Sequence, residues 1–350
     1  MNKIYRLIDA NINRASEGAR VLDDLSRFYF DDEALSEKLK SFRHTIREKS
    51  FCLQSKLIAQ RDSANDVGLD ISRKLEIDKR ENINDLITAN CKRMQEAIRS
   101  VEESLKIAGE YNLSKAFEGL RLISYNLEKA CFKKVISVNK KKKLDTDLYC
   151  ITASDHSMGR TNMEVVKAMI NAGVKIIQYR EKDKSLLEKY NECREIRKLT
   201  NDAGVTFIIN DDIDIAILLN ADGVHIGQDD IPIEEVRKLT GAEMIIGVST
   251  HSPAQALDAV NRGADYIGVG PLYKTFTKKN VCSPVGLEYL EFAVANIKIP
   301  FVAIGGIKEH NLGDVKEKGA KCVSLVTEIT GAPDIEQKIK TIKSIMKGNK

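Results

Sequence analysis

The chain has 350 residues, a formal net charge of +4, and 43% hydrophobic against 30% charged residues. That length suits two domains with sizeable cores, and so mild a charge implies neither nucleic-acid nor membrane binding. No stretch approaches the ~20 apolar residues of a membrane span. The opening MNKIYRLIDANINRASEGAR carries charges throughout, unlike a secretory signal, and a cytoplasmic location is expected. Seven cysteines, at 52, 91, 131, 150, 193, 282 and 322, never form a CxxC pair. They read as reduced thiols rather than a disulfide framework or a zinc site.

Up to about residue 135 there is no proline, and apolar residues recur at helical spacing, as in Leu35-Leu39-Phe42-Ile46 and Ile98-Val101-Leu105. An all-helical N-terminal domain is predicted over 1–139. Asp9, Asn13, Glu17, Arg20, Asp24 and Arg27 fall within an arc of about 80° at ~100° per residue, one polar stripe. The ordinary reading of such a stripe is a solvated face with i,i+4 pairs. Four consecutive lysines, Lys140 to Lys143, repel one another, so 140–146 is predicted to be a basic, solvated linker.

From Asp147 short β-rich runs alternate with helical stretches. The predicted strands are 148–152, 176–180, 206–210, 223–227, 245–249, 266–270, 301–306 and 322–327. Eight βα units over 147–350 make an α/β chain with a (β/α)8 TIM barrel behind the all-α domain. A doubly wound open sheet is the structural alternative, but no GxGxxG opens the first helix.

Barrel active sites lie at the C-terminal strand ends. Those ends carry Gln178-Tyr179-Arg180-Glu181-Lys182, Asn210-Asp211-Asp212, Gln228-Asp229-Asp230, Ser249, Thr275-Phe276-Thr277-Lys278, Gly305-Gly306 and Val326-Thr327. Taken singly, each has an ordinary explanation as a cap, a turn or a solvated charge. Together they place Arg180, Lys182 and Lys278 as cations for a diphosphate. Asp211 and Asp230, on adjacent loops, suit Mg2+ held by two carboxylates and substrate oxygens. Gly305-Gly306 and the strand-eight end suit a second, simpler phosphate. No cysteine or histidine nucleophile stands out, so transfer driven by positioning and charge neutralisation is expected.

The motifs QYREK, INDDIDIAILLNADGVHIGQDD, IGVSTHSPAQAL, GADYIGVGPLYKTFTKK, PVGL and AIGGI run in order over the whole barrel. Residues 147–350 thereby resemble thiamine-phosphate synthase (thiamine-phosphate pyrophosphorylase). The resemblance implies condensation of 4-amino-2-methyl-5-(diphosphooxymethyl)pyrimidine with a thiazole phosphate, giving thiamine phosphate and pyrophosphate by a dissociative, Mg2+-assisted transfer. It implies that Gln178, Tyr179, Arg180, Glu181, Lys182, Asn210, Ser249 and Lys278 hold the pyrimidine diphosphate. Thr275, Phe276, Thr277, Gly306, Val326 and Thr327 would then seat the thiazole phosphate, and Asp211 and Asp230 the Mg2+. Arg180, Lys182, Ser249 and Lys278 would be the catalytic residues. Val326-Thr327 stands where the family more often has serine second, and a hydroxyl is kept. The helical part resembles an extension found ahead of the barrel in some bacterial members. Related extensions are associated with phosphorylating the pyrimidine monophosphate, although no GxxxxGK[ST] loop is present. The implied partners are two small-molecule substrates, with no nucleic acid and no membrane; homo-oligomerisation is left open. The competing readings are a thiazole tautomerase-like barrel, which needs no diphosphate–metal site, and a non-catalytic sensor of phosphate ligands.

Overall fold

The computed structural model describes residues 2–62, 79–277 and 282–348. The chain divides into two compact units, Met1–Val138 and Asn139–Lys350.

The first unit is helical. Its described helices are α1 (Asn2–Phe28), α2 (Glu33–Ser50), α3 (Gln54–Ala59), α4 (Ile83–Ile107) and α5 (Tyr111–Leu144). Asp32 caps α2 by accepting from the Leu35 amide at 3.0 Å, and Asn82 caps α4 by accepting from Asp85 at 3.0 Å. Ile8, Ala15, Ala19 and Leu22 of α1 are buried with Leu39 and Ile46 of α2 and with Ile87, Met94, Ile98 and Val101 of α4. The helical spacing seen in the sequence is thus the core of this unit. The polar stripe of α1 is not uniformly solvated. Asn13, Glu17, Arg20 and Arg27 are exposed, but Asp9 is buried and accepts from Arg61 through both oxygens at 2.8 Å.

The four lysines differ from expectation. They continue α5 to Leu144 instead of forming a solvated linker. Lys140 is 8% exposed and donates to Asp265 at 3.0 and 2.9 Å, and Lys143 lies 2.5 Å from Asp222. Like-charge repulsion is overcome because acidic groups at the bottom of the barrel receive two of these ammonium groups.

The second unit is an eight-stranded barrel, with strands β1 (Tyr149–Ile151), β2 (Ile176–Tyr179), β3 (Thr206–Asn210), β4 (Gly223–Ile226), β5 (Ile245–Thr250), β6 (Tyr266–Val269), β7 (Phe301–Ile304) and β8 (Val323–Ser324). Every neighbouring pair is parallel, and a parallel bridge between Leu148 and Val323 joins the last strand to the first. The eighth strand is shorter than expected, because the chain turns at Val326 into the helical turn Val326–Thr330. Side chains alternate between two layers. Ile177, Phe207, Ile209, Val224, Ile246 and Ile267 pack outward against the surrounding helices. Tyr149, Ile176, Ile208, Ile245, Tyr266 and Val302 fill the interior. Gly247 is required there: a Cβ would lie 2.1 Å from Cζ of the Tyr266 ring.

Candidate active site

The barrel interior opens into a cavity of about 300 Å3 at the C-terminal strand ends. Gln178 and Arg180 of the β2 end line it together with Asn210, Ser249, Thr275, Phe276, Thr277, Gly306, Val326 and Thr327. Strand alternation accounts for Gln178, Asn210 and Ser249, which share the inward parity of 176, 208 and 245, and the others come from the loops and turns after the strands.

The Arg180 amide donates to Thr152 Oγ1 at 2.9 Å, which fixes the backbone where β2 ends. The guanidinium has no hydrogen-bond or ion-pair partner among the described residues. Burial lowers its pKa, and the carboxylates of Asp211, Glu181 and Asp155 partly offset that loss. The partly buried guanidinium, with five N–H donors, lines the cavity.

Tyr179 has the opposite parity, and the structure corrects its expected place. It packs in the outer layer and its hydroxyl donates to Glu192 at 2.7 Å. Glu181 is also turned from the cavity wall, accepting from Ser154 Oγ at 2.7 Å and from Asn162 Nδ2 at 2.7 Å. Lys182 is exposed and hydrogen-bonded to Asp211. Lys278 lies outside the described residues.

Asp211 and Asp230 follow neighbouring strands. The Asp211 amide donates to the His225 carbonyl on β4 at 2.9 Å, and Asp211 holds a left-handed backbone with φ of 64°. Asp230 Oδ2 accepts from the Gly227 amide at 2.6 Å. Among the described residues no three His, Cys, Asp or Glu side chains are grouped to hold a metal unaided. Asp211 and Asp230 offer oxygen donors alone, the chemistry of a hard cation rather than of a structural zinc site.

On the opposite side, Gly305 and Gly306 have φ of 96° and 67°. A Cβ on Gly306 would lie 2.7 Å from the Tyr273 carbonyl oxygen, so only glycine lets the loops after β6 and β7 approach this closely. Thr275 and Thr277 hydroxyls sit 3.2 Å apart.

Sequence reasoning missed several lining residues. Lys308 donates to Thr327 Oγ1 at 3.1 Å and pairs with Glu328 at 3.1 Å. His251 Nδ1 donates to the Gly270 carbonyl at 2.6 Å. Tyr149, His225 and Tyr266 form part of the polar floor. Lys308 follows the Gly-Gly motif by two positions and carried a signal; the two tyrosines looked like ordinary strand residues.

Among the described residues no helix is long and apolar enough to cross a membrane. The thiamine monophosphate synthase family model matches residues 148–329, and the ThiD2 family model matches 6–130. A thiamine-phosphate synthase of Pelotomaculum thermopropionicum is 61% identical over 203 residues, covering 58% of this chain and 93% of its own. One of Synechocystis is 37% identical over 327 residues, covering 93% of this chain and 91% of its own. The solved thiamine phosphate pyrophosphorylase of Pyrococcus furiosus superposes with a TM-score of 0.54 at 32% identity, over 60% of this chain and 98% of that one. With a family match over the barrel and a relative aligned along nearly the whole chain, this protein belongs to the thiamine-phosphate synthase family and is a transferase that makes thiamine phosphate.

Proposed function

We propose that the cavity binds 4-amino-2-methyl-5-(diphosphooxymethyl)pyrimidine and a thiazole phosphate, and joins them by a dissociative substitution. The observation that carries this reading is the partly buried Arg180 guanidinium in the cavity wall, which has no hydrogen-bond or ion-pair partner among the described residues. Arg180 and Lys182 would grip the diphosphate with Asn210 and Ser249, and Gln178 would meet the ring. Lys278 would join them as a leaving-group cation by its place in the TxTK motif. The C–O bond to the methylene breaks with its electron pair leaving on pyrophosphate. The aminopyrimidine delocalises the resulting cation, and the thiazole nitrogen lone pair closes the new C–N bond. Asp211 and Asp230 would hold Mg2+, which supplies charge neutralisation for the leaving group. Thr275, Phe276, Thr277, Gly306, Val326 and Thr327 would seat the second phosphate.

The test is pyrophosphate release. With both substrates and Mg2+, Arg180→Met should lose about 100-fold or more in kcat/KM. Undiminished turnover would remove Arg180 from the site. A barrel that binds both ligands but releases no pyrophosphate would instead be a sensor.

For residues 1–139 we propose phosphorylation of the pyrimidine monophosphate, supported by the ThiD2 match and by the exposed row Asn13, Glu17, Arg20 and Arg27 on α1. This would make 1–139 and 147–350 two working domains that supply and consume one diphosphate. ATP-dependent phosphate transfer to the pyrimidine monophosphate by the full chain is the assay, and its absence would discard the assignment. Seven free thiols support a reducing compartment such as the cytoplasm.

A further inference from the structure

Five side chains from five strands form an unbroken hydrogen-bonded row from the floor of the cavity to its wall. Gln178 Nε2 lies 3.0 Å from the Tyr149 hydroxyl, which lies 2.7 Å from the Tyr266 hydroxyl. Tyr266 is 2.9 Å from His225 Nδ1, and His225 Nε2 is 2.9 Å from Ser249 Oγ. Pairing every buried phenol proton sets the direction of the row. Gln178 donates to the Tyr149 oxygen, and both buried phenol protons find a partner in the row only when Tyr149 donates to Tyr266. Tyr266, already an acceptor, gives its proton to His225 Nδ1. A neutral imidazole has one N–H, which must then sit on Nε2 and point at Ser249 Oγ. The Ser249 proton is left over, and Ser249 lines the cavity. Burial raises the pKa of both tyrosines, which keeps the phenols protonated as the row requires.

We propose that this row makes Ser249 a committed hydrogen-bond donor into the cavity, with His225 and Tyr266 as positioning residues that set its direction. The group it takes is an acceptor, an oxygen of the diphosphate, and this last step rests on the reading of the cavity above. A serine hydroxyl outside such a row can donate or accept. Fixing the donor before binding removes an ordering cost and aims the proton where negative charge grows as the leaving group departs.

Nitrogen NMR of the full chain, labelled with 15N-histidine and assigned through His225→Gln, reads the tautomer. The expected result at neutral pH is a protonated Nε2 and a bare Nδ1 for His225; a proton on Nδ1 would overturn the proposal. In steady-state kinetics, Ser249→Ala and Tyr266→Phe should each raise KM for the pyrimidine diphosphate about 10-fold or more. KM for the thiazole phosphate should not move. The double variant should be no worse than Ser249→Ala, because both changes remove one donor. His225→Gln, which keeps an acceptor and a donor, should recover most of what His225→Leu loses. Losses that multiply in the double variant overturn the row itself. An unchanged KM in Ser249→Ala beside the expected tautomer overturns the reading of the cavity, and with it the ligand named here.

Discussion

Lys308 Nζ lies 3.1 Å from Thr327 Oγ1 and 3.1 Å from a Glu328 carboxylate oxygen, so the cation beside the Gly305–Gly306 turn is already charge-paired. Burial alone would raise the Glu328 pKa, but Lys308 and Lys338 reverse this and hold the carboxyl below its ordinary value. A phosphate bound at this turn, as proposed, would compete with Glu328 for Lys308. We expect Lys308→Met to raise KM for the thiazole phosphate about 10-fold, and Glu328→Gln to lower it several-fold. Steady-state kinetics with the second substrate varied decides this. A Glu328→Gln enzyme with a raised KM would mean that Glu328 positions the lysine rather than masking it.

Lys182 is hydrogen-bonded to Asp211, one of the two carboxylates proposed for Mg2+. The lysine therefore neutralises in the free protein the same charge that a cation would. Lys182→Met should tighten Mg2+ binding in the absence of substrate while lowering kcat, since the diphosphate loses a cation. Asp211→Asn should lose Mg2+-dependent turnover by about 100-fold or more. Calorimetric Mg2+ titration and pyrophosphate release together test the pair. Weaker Mg2+ binding in Lys182→Met would refute the competition.

Asp222 gathers three donors beneath the barrel: Lys143 at 2.5 Å, Arg197 at 2.7 Å and the Phe207 amide at 2.9 Å. Burial alone would raise its pKa; Lys143, the Phe207 amide and Arg197 outweigh it and hold the carboxyl below the ordinary 3.8. A lowered folded-state pKa gives stability that is complete above about pH 4 and is lost as pH falls through the folded value. Asp222→Asn should cost about 2 kcal/mol at neutral pH and flatten the acid limb of the stability curve. Urea unfolding at pH 7 and pH 3 measures both. An equal loss at the two values would mean that the carboxylate charge is not what stabilises.

The last turn of α5 belongs with the barrel unit. Lys140 pairs with Asp265, which also accepts from Arg237 at 2.6 Å and from the Ile246 amide at 2.8 Å. A barrel fragment starting at 139 should be about 2–4 kcal/mol more stable than one starting at 144, because the shorter one leaves a half-buried carboxylate short of a cation. Denaturant unfolding of the two fragments tests this. Equal midpoints would return the tetralysine to the role of a solvated linker.

Much of this architecture is legible in the residues themselves. Alternating β-rich and helical runs announced the barrel, and the i, i+3, i+4 spacing of Leu35, Leu39, Phe42 and Ile46 announced the helices. These signals are local, and repeat with the period of the backbone. The rim residues were legible for the same reason, because a strand end is where apolar alternation stops and Asn210-Asp211 or Gly305-Gly306 begins.

What local pattern could not supply was the partner of each group. A single step of parity sends Gln178 inward and Tyr179 outward, although both belong to one motif. The four lysines are repulsive in sequence, and become a helix end only because Asp222 and Asp265 arrive from 79 and 125 residues away. The Gln178–Tyr149–Tyr266–His225–Ser249 row spans five strands, and Gly247 makes room for its central ring. The sequence alone determined the periods of the backbone and so the eight-fold barrel and its helical companion. Closure of the barrel decided which proton faces the cavity, because hydrogen-bond direction depends on neighbours that only three dimensions bring together.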